Sequence, residues 1–509
     1  MRWTDPRYDK VRIEQTKGGL LEDSYKWILD HPDFRTWRSE EQSRLLWIKG
    51  DAGKGKTMLL IGIINEIGQM TRLMRPTTDV NLLLSYFLCQ GTDVKLNNAT
   101  AVLRGLIYLL LIQQESLVSH LQVEYDRVGK SLFEGDNVFY ALSEIFQNML
   151  HDSTLPAAYL IIDALDECET GLPQLLELIN QTVSVPYTRV KWIISSRNIP
   201  EIEQRLPLDD SGLKLSLELN AEHVSHAIGV YIDHNVSQLA SIKHDKALQG
   251  QVRSQMRQKA DGTFLWVALV FKELQIVQRY DILQVIDELP SGLIPLYDRM
   301  MKQVCKLKRR DPEFCRRVLS TATLAYRPLH LLELQILAGL QEEMPHAADL
   351  ERIINMCASF LTIRNDQVYL IHQSAKDYLN TKAFDMIFPA GREHIHHNMF
   401  SRSLSVMSQM LQKDIYNLQL PGLLIDQVKP VDPDPLVHVR YSCIFWVDHL
   451  GEDDGSSSHS LSELRDGGQV HVFLQETFLY WLEALSLLRS MSNGVLAIAK
   501  LENLLRVSC

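Results

Sequence analysis

The chain has 509 residues, 46% of them hydrophobic and 23% charged, with a formal net charge of −11. That length exceeds one ordinary core and implies several domains; the composition is that of a globular protein; and the acidic balance argues against a non-specific nucleic-acid binder, which carries a basic face. Seven cysteines, an odd number with no C-x-x-C pair, read as reduced thiols in the cytosol, neither a disulfide framework nor a zinc site.

The opening stretch, MRWTDPRYDKVRIEQTKGG, has no apolar core of signal-peptide length. Residues 1–42 are polar and rich in tryptophan, with a helix predicted around Ser24–Leu29. Apolar runs of strand length then recur: LLWIKG (45–50), NLLLSYFLC (81–89), AYLIIDAL (158–165), VKWIISS (190–196) and LKLSLEL (213–219). Helix-like segments separate them. Short, near-continuous apolar strands alternating with helices predict a five-stranded parallel sheet covered on both faces. The most apolar stretch, AVLRGLIYLLLI (101–112), carries Arg104 and is too short to cross a bilayer, so it suits a buried helix and no membrane span is expected.

After Asn220 the strand pattern stops. Residues 221–290 read as helical, ending at DELPSG. Residues 291–382 carry helices and one predicted hairpin, FLTIRNDQVYLIH (360–372), whose Asn365-Asp366 is a good turn dipeptide. Residues 383–509 are helical again, with loops expected at KPVDPDP (429–435) and GEDDGSSSHS (451–460). No fixed-period repeat is visible, which argues against a solenoid or propeller within this chain.

Three strand ends carry the chemistry. Gly50, Asp51, Ala52, Gly53, Lys54, Gly55, Lys56 and Thr57 satisfy G-x-x-x-x-G-K-[ST], with an apolar strand before and a helix-capable run after. The glycines let backbone N–H groups turn inward around phosphates, the helix N-terminus adds positive charge, Lys56 can reach the β- and γ-phosphates, and the Thr57 hydroxyl can ligate Mg2+. In YLIIDALDEC the buried strand delivers Asp163 to its carboxyl end, where open α/β sheets bind ligands; Asp163 would hold Mg2+, and Asp166 or Glu167 could orient or deprotonate a water. In KWIISSRN the third strand end presents Arg197, which by the same geometry would face a γ-phosphate and stabilise charge during its transfer. The plainer readings are a turn for the glycine loop, a solvated helix N-cap for the acids and a surface arginine.

Taken together, these residues resemble the NACHT class of signal-transduction NTPases, whose second acidic pair after a small residue matches Asp163-Ala164 followed by Asp166-Glu167. The resemblance runs through DPRYDKVRIEQTKGGLLEDSYKWIL, LLWIKGDAGKGKT, LIIDALDEC, ADGTFLWVALVFKEL, LPSGLIPLYDRM, VYLIHQSAKDYL and RYSCIFWVDHL, and is to the fungal NACHT proteins related to vegetative-incompatibility factors. It implies an N-terminal helical or linker segment (1–42), an NTPase domain (43–220), a helical domain (221–290), a winged-helix domain (291–382) and a second helical domain (383–509). It also implies ATP or ADP with Mg2+, with GTP left open, and a switch with slow hydrolysis and homo-oligomerisation. Effector and sensor proteins are the implied partners, with no nucleic acid. In animal relatives a winged-helix histidine touches the β-phosphate of ADP; the matching residue is His372, which the residues alone read equally well as a core histidine.

Two departures stand out. Relatives often have a proline after the helical-domain glycine, near the adenine, where this chain has Phe264. Such fungal proteins also usually carry an N-terminal effector and a C-terminal repeat sensor, so this chain is expected to be a fragment, a truncated gene product or a member lacking both. A general P-loop ATPase or kinase, or a scaffold that no longer binds nucleotide, are the competing classes; Lys56, Thr57 and Asp163 argue against the last.

Overall fold

The computed structural model describes residues 4–508 except 78, 134, 136, 186–188, 207–211, 345, 358, 420–421, 430 and 453–462. Most of the expected loop at 451–460, residue 430 of the expected loop at 429–435, and Cys509 lie outside the described residues. The chain divides into two compact units, Met1–Leu296 and Tyr297–Cys509.

The first unit is built on five strands: β1 (Leu45–Lys49), β2 (Leu82–Leu88), β3 (Ala157–Asp163), β4 (Val190–Ser196) and β5 (Gly212–Ser216). Every pairing is parallel and the order across the sheet is β2-β3-β4-β1-β5. The registers Lys49↔Ser196 and Leu88↔Asp163 bring the carboxyl ends of neighbouring strands level. This is the expected α/β class. Along β1, Leu45 and Trp47 join a core lined by α6 (Ala99–Leu111), α8 (Val138–Leu150) and α9 (Leu172–Ser184). The alternate residues Leu46 and Ile48 are equally buried, so both faces of the sheet are covered. Helix α5 (Lys56–Gly68) follows the phosphate-loop sequence directly and packs against β2, β3 and β4. Two further helices, α7 (Val118–Val128) and α10 (Pro200–Arg205), complete this part.

Residues 4–42 pack against the sheet and α5. They form α1 (Pro6–Thr16), α2 (Glu22–Tyr25), α3 (Trp27–Asp30) and α4 (Pro32–Ser39). Asp5 caps α1 by accepting the Arg7 N–H, with Pro6 in the first turn, the pairing that favours a helix start. The Tyr25 ring lies so close over Gly62 of α5 that a Cβ there would sit 2.3 Å from it. Phe34 and Trp37 are fully buried, and the Trp37 ring packs on Tyr159 of β3 at 5.0 Å between centroids.

After β5 come α11 (Ala221–Gln238), α12 (Lys246–Lys259), α13 (Phe264–Leu274) and α14 (Ile282–Glu288). Lys259 at the end of α12 donates to the carbonyls of Ile286, Asp287 and Leu289 and so caps α14, satisfying acceptors a helix end leaves open. Trp266 Nε1 donates to the Pro290 carbonyl.

Helix α15 (Leu293–Cys305) leads into the second unit, which is largely helical: α16 (Asp311–Leu324), α17 (Leu331–Leu337), α18 (Ala347–Met356), α19 (Gln373–Asn380), α20 (Phe384–Ile387), α21 (Arg392–Met410), α22 (Arg440–Gly451), α23 (Gln469–Glu476), α24 (Phe478–Leu487) and α25 (Met491–Ser508). A small antiparallel sheet, β6 (Leu329–His330), β7 (Leu361–Arg364) and β8 (Gln367–Leu370), runs in the order β6-β8-β7. The expected hairpin is β7–β8, and both turn residues, Asn365 and Asp366, have the positive φ that a two-residue hairpin turn demands. Trp446 and Trp481 centre a separate core among α21, α22, α24 and α25.

Candidate functional site

The glycine loop occupies the turn between β1 and α5, at the carboxyl edge of the sheet. Gly53 (φ +77°) and Gly55 (φ +86°) both adopt the left-handed conformation, which lets the loop double back before α5 begins. Lys56 Nζ donates to the carbonyls of Gly50 at 2.5 Å and Asp51 at 2.9 Å. Burial pushes the Lys56 pKa down, opposed by the charges of Asp166, Asp163 and Glu167, so the lysine and the three acids share one electrostatic environment. The Asp51 N–H donates to Glu218 Oε1 at 2.7 Å, and Asn198 Nδ2 donates to Asp51 Oδ1 at 2.9 Å.

At the end of β3, Asp163 is 1% exposed and burial raises its pKa. The Ser195 hydroxyl at the end of β4 donates to Asp163 Oδ1 at 2.5 Å and accepts the Ala164 N–H at 2.9 Å. Ser195 thereby fixes both the carboxylate and the turn that follows it. Ala164 sits at φ +52°, a left-handed turn that a β-branched residue would resist, which accounts physically for the small residue there. That turn carries Asp166 and Glu167 round the sheet edge.

Asp166 and Arg197 bind one another. The Arg197 N–H donates to Oδ1 at 2.9 Å and Nε donates to Oδ2 at 2.5 Å, with the carboxylate side chain only 2% exposed. Glu167 accepts the Gly91 N–H at 2.9 Å, and burial first, then the neighbouring Asp166 charge, raises its pKa to about 7. A carboxylate with that pKa suits proton transfer near neutrality.

Two contributors lie outside what sequence reasoning found. Lys17, at the end of α1, donates to Thr57 Oγ1 at 3.2 Å, and its charge favours the ionised forms of Asp163 and Glu167. A lysine before two glycines signals only a helix end; nothing local says where its side chain goes. The segment 261–265 lies against the phosphate loop: Lys54 Nζ donates to the Asp261 carbonyl at 3.3 Å and the Leu265 N–H to the Gly53 carbonyl at 3.4 Å. A Cβ on Gly53 would meet Thr263 Cγ2, and one on Gly55 would meet the Phe264 ring, each at 2.8 Å.

The oxygen donors Thr57 and Asp163 fit Mg2+, a hard cation usually bound through one or two carboxylates, water and phosphate oxygens. Among the described residues no group of three His, Cys, Asp or Glu could hold a metal by itself. His372 lies in the second unit, where its Nδ1 accepts the Ser374 N–H at 3.0 Å and caps α19.

A parallel sheet of this order, with the glycine loop after β1 and buried acids after β3, defines a P-loop NTPase. Residues 23–197 match the family model for the N-terminal region of nephrocystin 3. The chain is 49% identical over 522 residues to the vegetative incompatibility protein HET-E-1 of Podospora anserina, covering 99% of this chain and 38% of that protein. It belongs to the vegetative-incompatibility P-loop NTPase family and spans well under half the length of that relative. Among solved structures, the Walker-type ATPase of Pyrococcus abyssi aligns at 11% identity over 70% of this chain and 95% of its own, TM-score 0.31. The Aeropyrum pernix ORC2 protein aligns at 10% over 74% and 94%, TM-score 0.32. No helix among the described residues is long and apolar enough to cross a membrane.

Proposed function

We propose that the chain is a NACHT-type switch of the STAND, NOD-like receptor kind, which holds ADP or ATP with Mg2+ and hydrolyses slowly to reset. The observation that carries this reading is the packing of 261–265 on the phosphate loop: Lys54 donates to the Asp261 carbonyl, the Leu265 N–H to the Gly53 carbonyl, and Thr263 and Phe264 leave no room for a Cβ on Gly53 or Gly55. A ligand shifts such an equilibrium only through different contacts in the two states, and a nucleotide in the loop would lie beside this contact.

In this reading the amides of Gly50, Asp51, Ala52, Gly53, Lys54 and Gly55 surround the phosphates and Lys56 neutralises them. Thr57 and Asp163 would hold Mg2+, which would neutralise charge at the phosphate oxygens. Glu167 takes the proton from water. Asp166 holds Arg197 and sets where its guanidinium can meet a γ-phosphate. The proposed parts are an N-terminal segment (1–42), an NTPase domain (43–220), a helical domain (221–290), a winged helix (291–382) and a second helical domain (383–509). With Nδ1 of His372 an acceptor, its neutral ring carries the proton on Nε2, the form that donates to a β-phosphate. Nucleotide exchange would release homo-oligomerisation in incompatibility or cell-death signalling in the cytoplasm, with effector and sensor proteins as partners.

The test is to denature the purified protein and identify the nucleotide it releases. About one ADP or ATP per chain is expected, and none from Lys56→Ala. A wild type that is folded and empty, and that takes up neither ATP nor GTP, overturns the reading.

A further inference from the structure

The nucleotide site contains a cation that its own motifs do not account for. Lys17 follows α1, which is firmly docked: Ile13 is 1% exposed, Arg12 donates to Gln90 Oε1 at 2.8 Å just beyond β2, and Tyr108 of α6 donates to the capping Asp5. The helix stops on Gly18 (φ +90°) and Gly19 (φ +84°), and the Gly19 N–H reaches back to the Glu14 carbonyl at 3.0 Å, closing the terminus tightly. The backbone of Lys17 is therefore held, and its side chain runs from this anchored end to Thr57 Oγ1.

An ammonium group has three donors and no acceptor, so in this contact the Thr57 oxygen is the acceptor. The oxygen that Lys17 meets, Thr57 Oγ1, is one a divalent cation would use, and it lies at the same sheet edge as Asp163. Two cations about 4 Å apart repel strongly where water is scarce. A metal and the Lys17 ammonium cannot both sit at this oxygen without cost.

We infer that Lys17 is an internal counter-cation of the nucleotide site, competing with the divalent metal for the Thr57 hydroxyl. This rests on the nucleotide-binding reading above and adds its regulation. With Lys17 seated, the site holds a nucleoside diphosphate without metal. When a metal–triphosphate enters, Lys17 is driven out, and the movement passes to the Gly18-Gly19 junction and the N-terminal helix. Nucleotide state is then read at the N-terminal segment by a route separate from the 261–265 contact.

The experiment measures ADP affinity by calorimetry in Mg2+ and in EDTA, for wild type, Lys17→Met and Lys17→Gln. Both variants remove the charge; methionine keeps an unbranched apolar stem of similar length and glutamine keeps a donor, and circular dichroism checks that each is folded. Wild type should lose little ADP affinity in EDTA. The neutral variants should lose about tenfold or more, the order of effect of one opposite charge at this range, and should bind Mn2+ in the ADP complex about tenfold more tightly. In wild type, hydrogen exchange at Gly18 and Gly19 should speed up on adding Mg2+–ATP and stay slow with ADP in EDTA. Variants with the wild-type metal dependence, or junction amides indifferent to metal, overturn the inference while leaving nucleotide binding intact. A wild type that binds no nucleotide sinks both.

Discussion

Arg197 meets Asp166 through two atoms at once, its backbone N–H on one carboxylate oxygen and its Nε on the other. The ends of β3 and β4 are thereby tied by a charged contact whose acid is almost fully buried and whose base is about one-third exposed. Replacing the base strands a buried charge, while neutralising the acid does not. Arg197→Ala should therefore cost about 2 kcal/mol of the first unit's stability, the partial exposure of the arginine keeping the figure below that of a fully buried pair. Asp166→Asn should cost clearly less. Urea unfolding of both variants checks the order; equal losses would show that the pair acts by packing alone.

Glu167 gives the site a pH dependence of defined sign. Its folded pKa of about 7 lies above the ordinary 4.5, so the folded state holds the extra proton between those values. Its contribution to stability is complete below about pH 4.5 and is lost as pH rises through 7. Glu167→Gln should flatten that fall in stability between pH 5 and 7, by up to roughly 3 kcal/mol. ATP hydrolysis by wild type should rise with pH through about 7, and in Glu167→Gln the rise should vanish with most of the activity.

The contact between Gly55 and Phe264 can be taken apart in two steps. Gly55→Ala adds a Cβ against the ring and forces alanine to φ +86°. Phe264→Ala removes the ring but leaves the backbone conformation. Thermal unfolding of both single variants and the double should show a coupling of about 0.5–3 kcal/mol, with the second substitution partly rescuing the first. The remaining loss, about 1 kcal/mol or more, is the left-handed backbone itself. Additive effects would mean that 261–265 does not bear on the loop.

In the second unit, His396 Nδ1 meets His449 Nδ1 at 2.8 Å, and His449 Nε2 meets the Tyr441 hydroxyl at 2.8 Å. The facing nitrogens accommodate one proton between them; a second sets two donors against each other. Burial lowers both pKa values, opposed at His396 by Glu452 and Glu393 and assisted by Arg392. Both folded values lie below the ordinary 6.5, so this stability is present above pH 6.5 and lost as pH falls below it. His449→Gln, which can still bond Tyr441, should make the second unit's urea midpoint less sensitive to pH between 6.5 and 5, read from Trp446 and Trp481 fluorescence. An unchanged slope would remove the histidine pair from the account.

What could be read beforehand was what short-range pattern controls. The apolar runs of β1 and β3 made strands where expected, and Asn365-Asp366 made the hairpin turn. What could not be read was which side chains meet across the sheet. Arg197 was expected to face a phosphate and Asp166 a water; that strand order also makes them partners is encoded by no spacing within one strand. Helix α1 is polar along most of its length and lacks an apolar stripe to announce it; only Asp5-Pro6 signals its start. Lys17 and Phe264 reach the loop from 40 residues before Thr57 and from far beyond it, distances over which periodicity carries no information. Strand β6, two residues long, is shorter than any repeat.

The Tyr25 ring on Gly62, with Phe34 and Trp37 beneath the sheet, also bears on modular design. A gene fusion or a minimal expression clone cut just before the first strand, at residue 43, would strip a tyrosine, a phenylalanine and a tryptophan from sealed positions and leave raw apolar surface behind the phosphate loop. A version cut no further than Asp5 keeps the cap of α1 and these sealed aromatic positions.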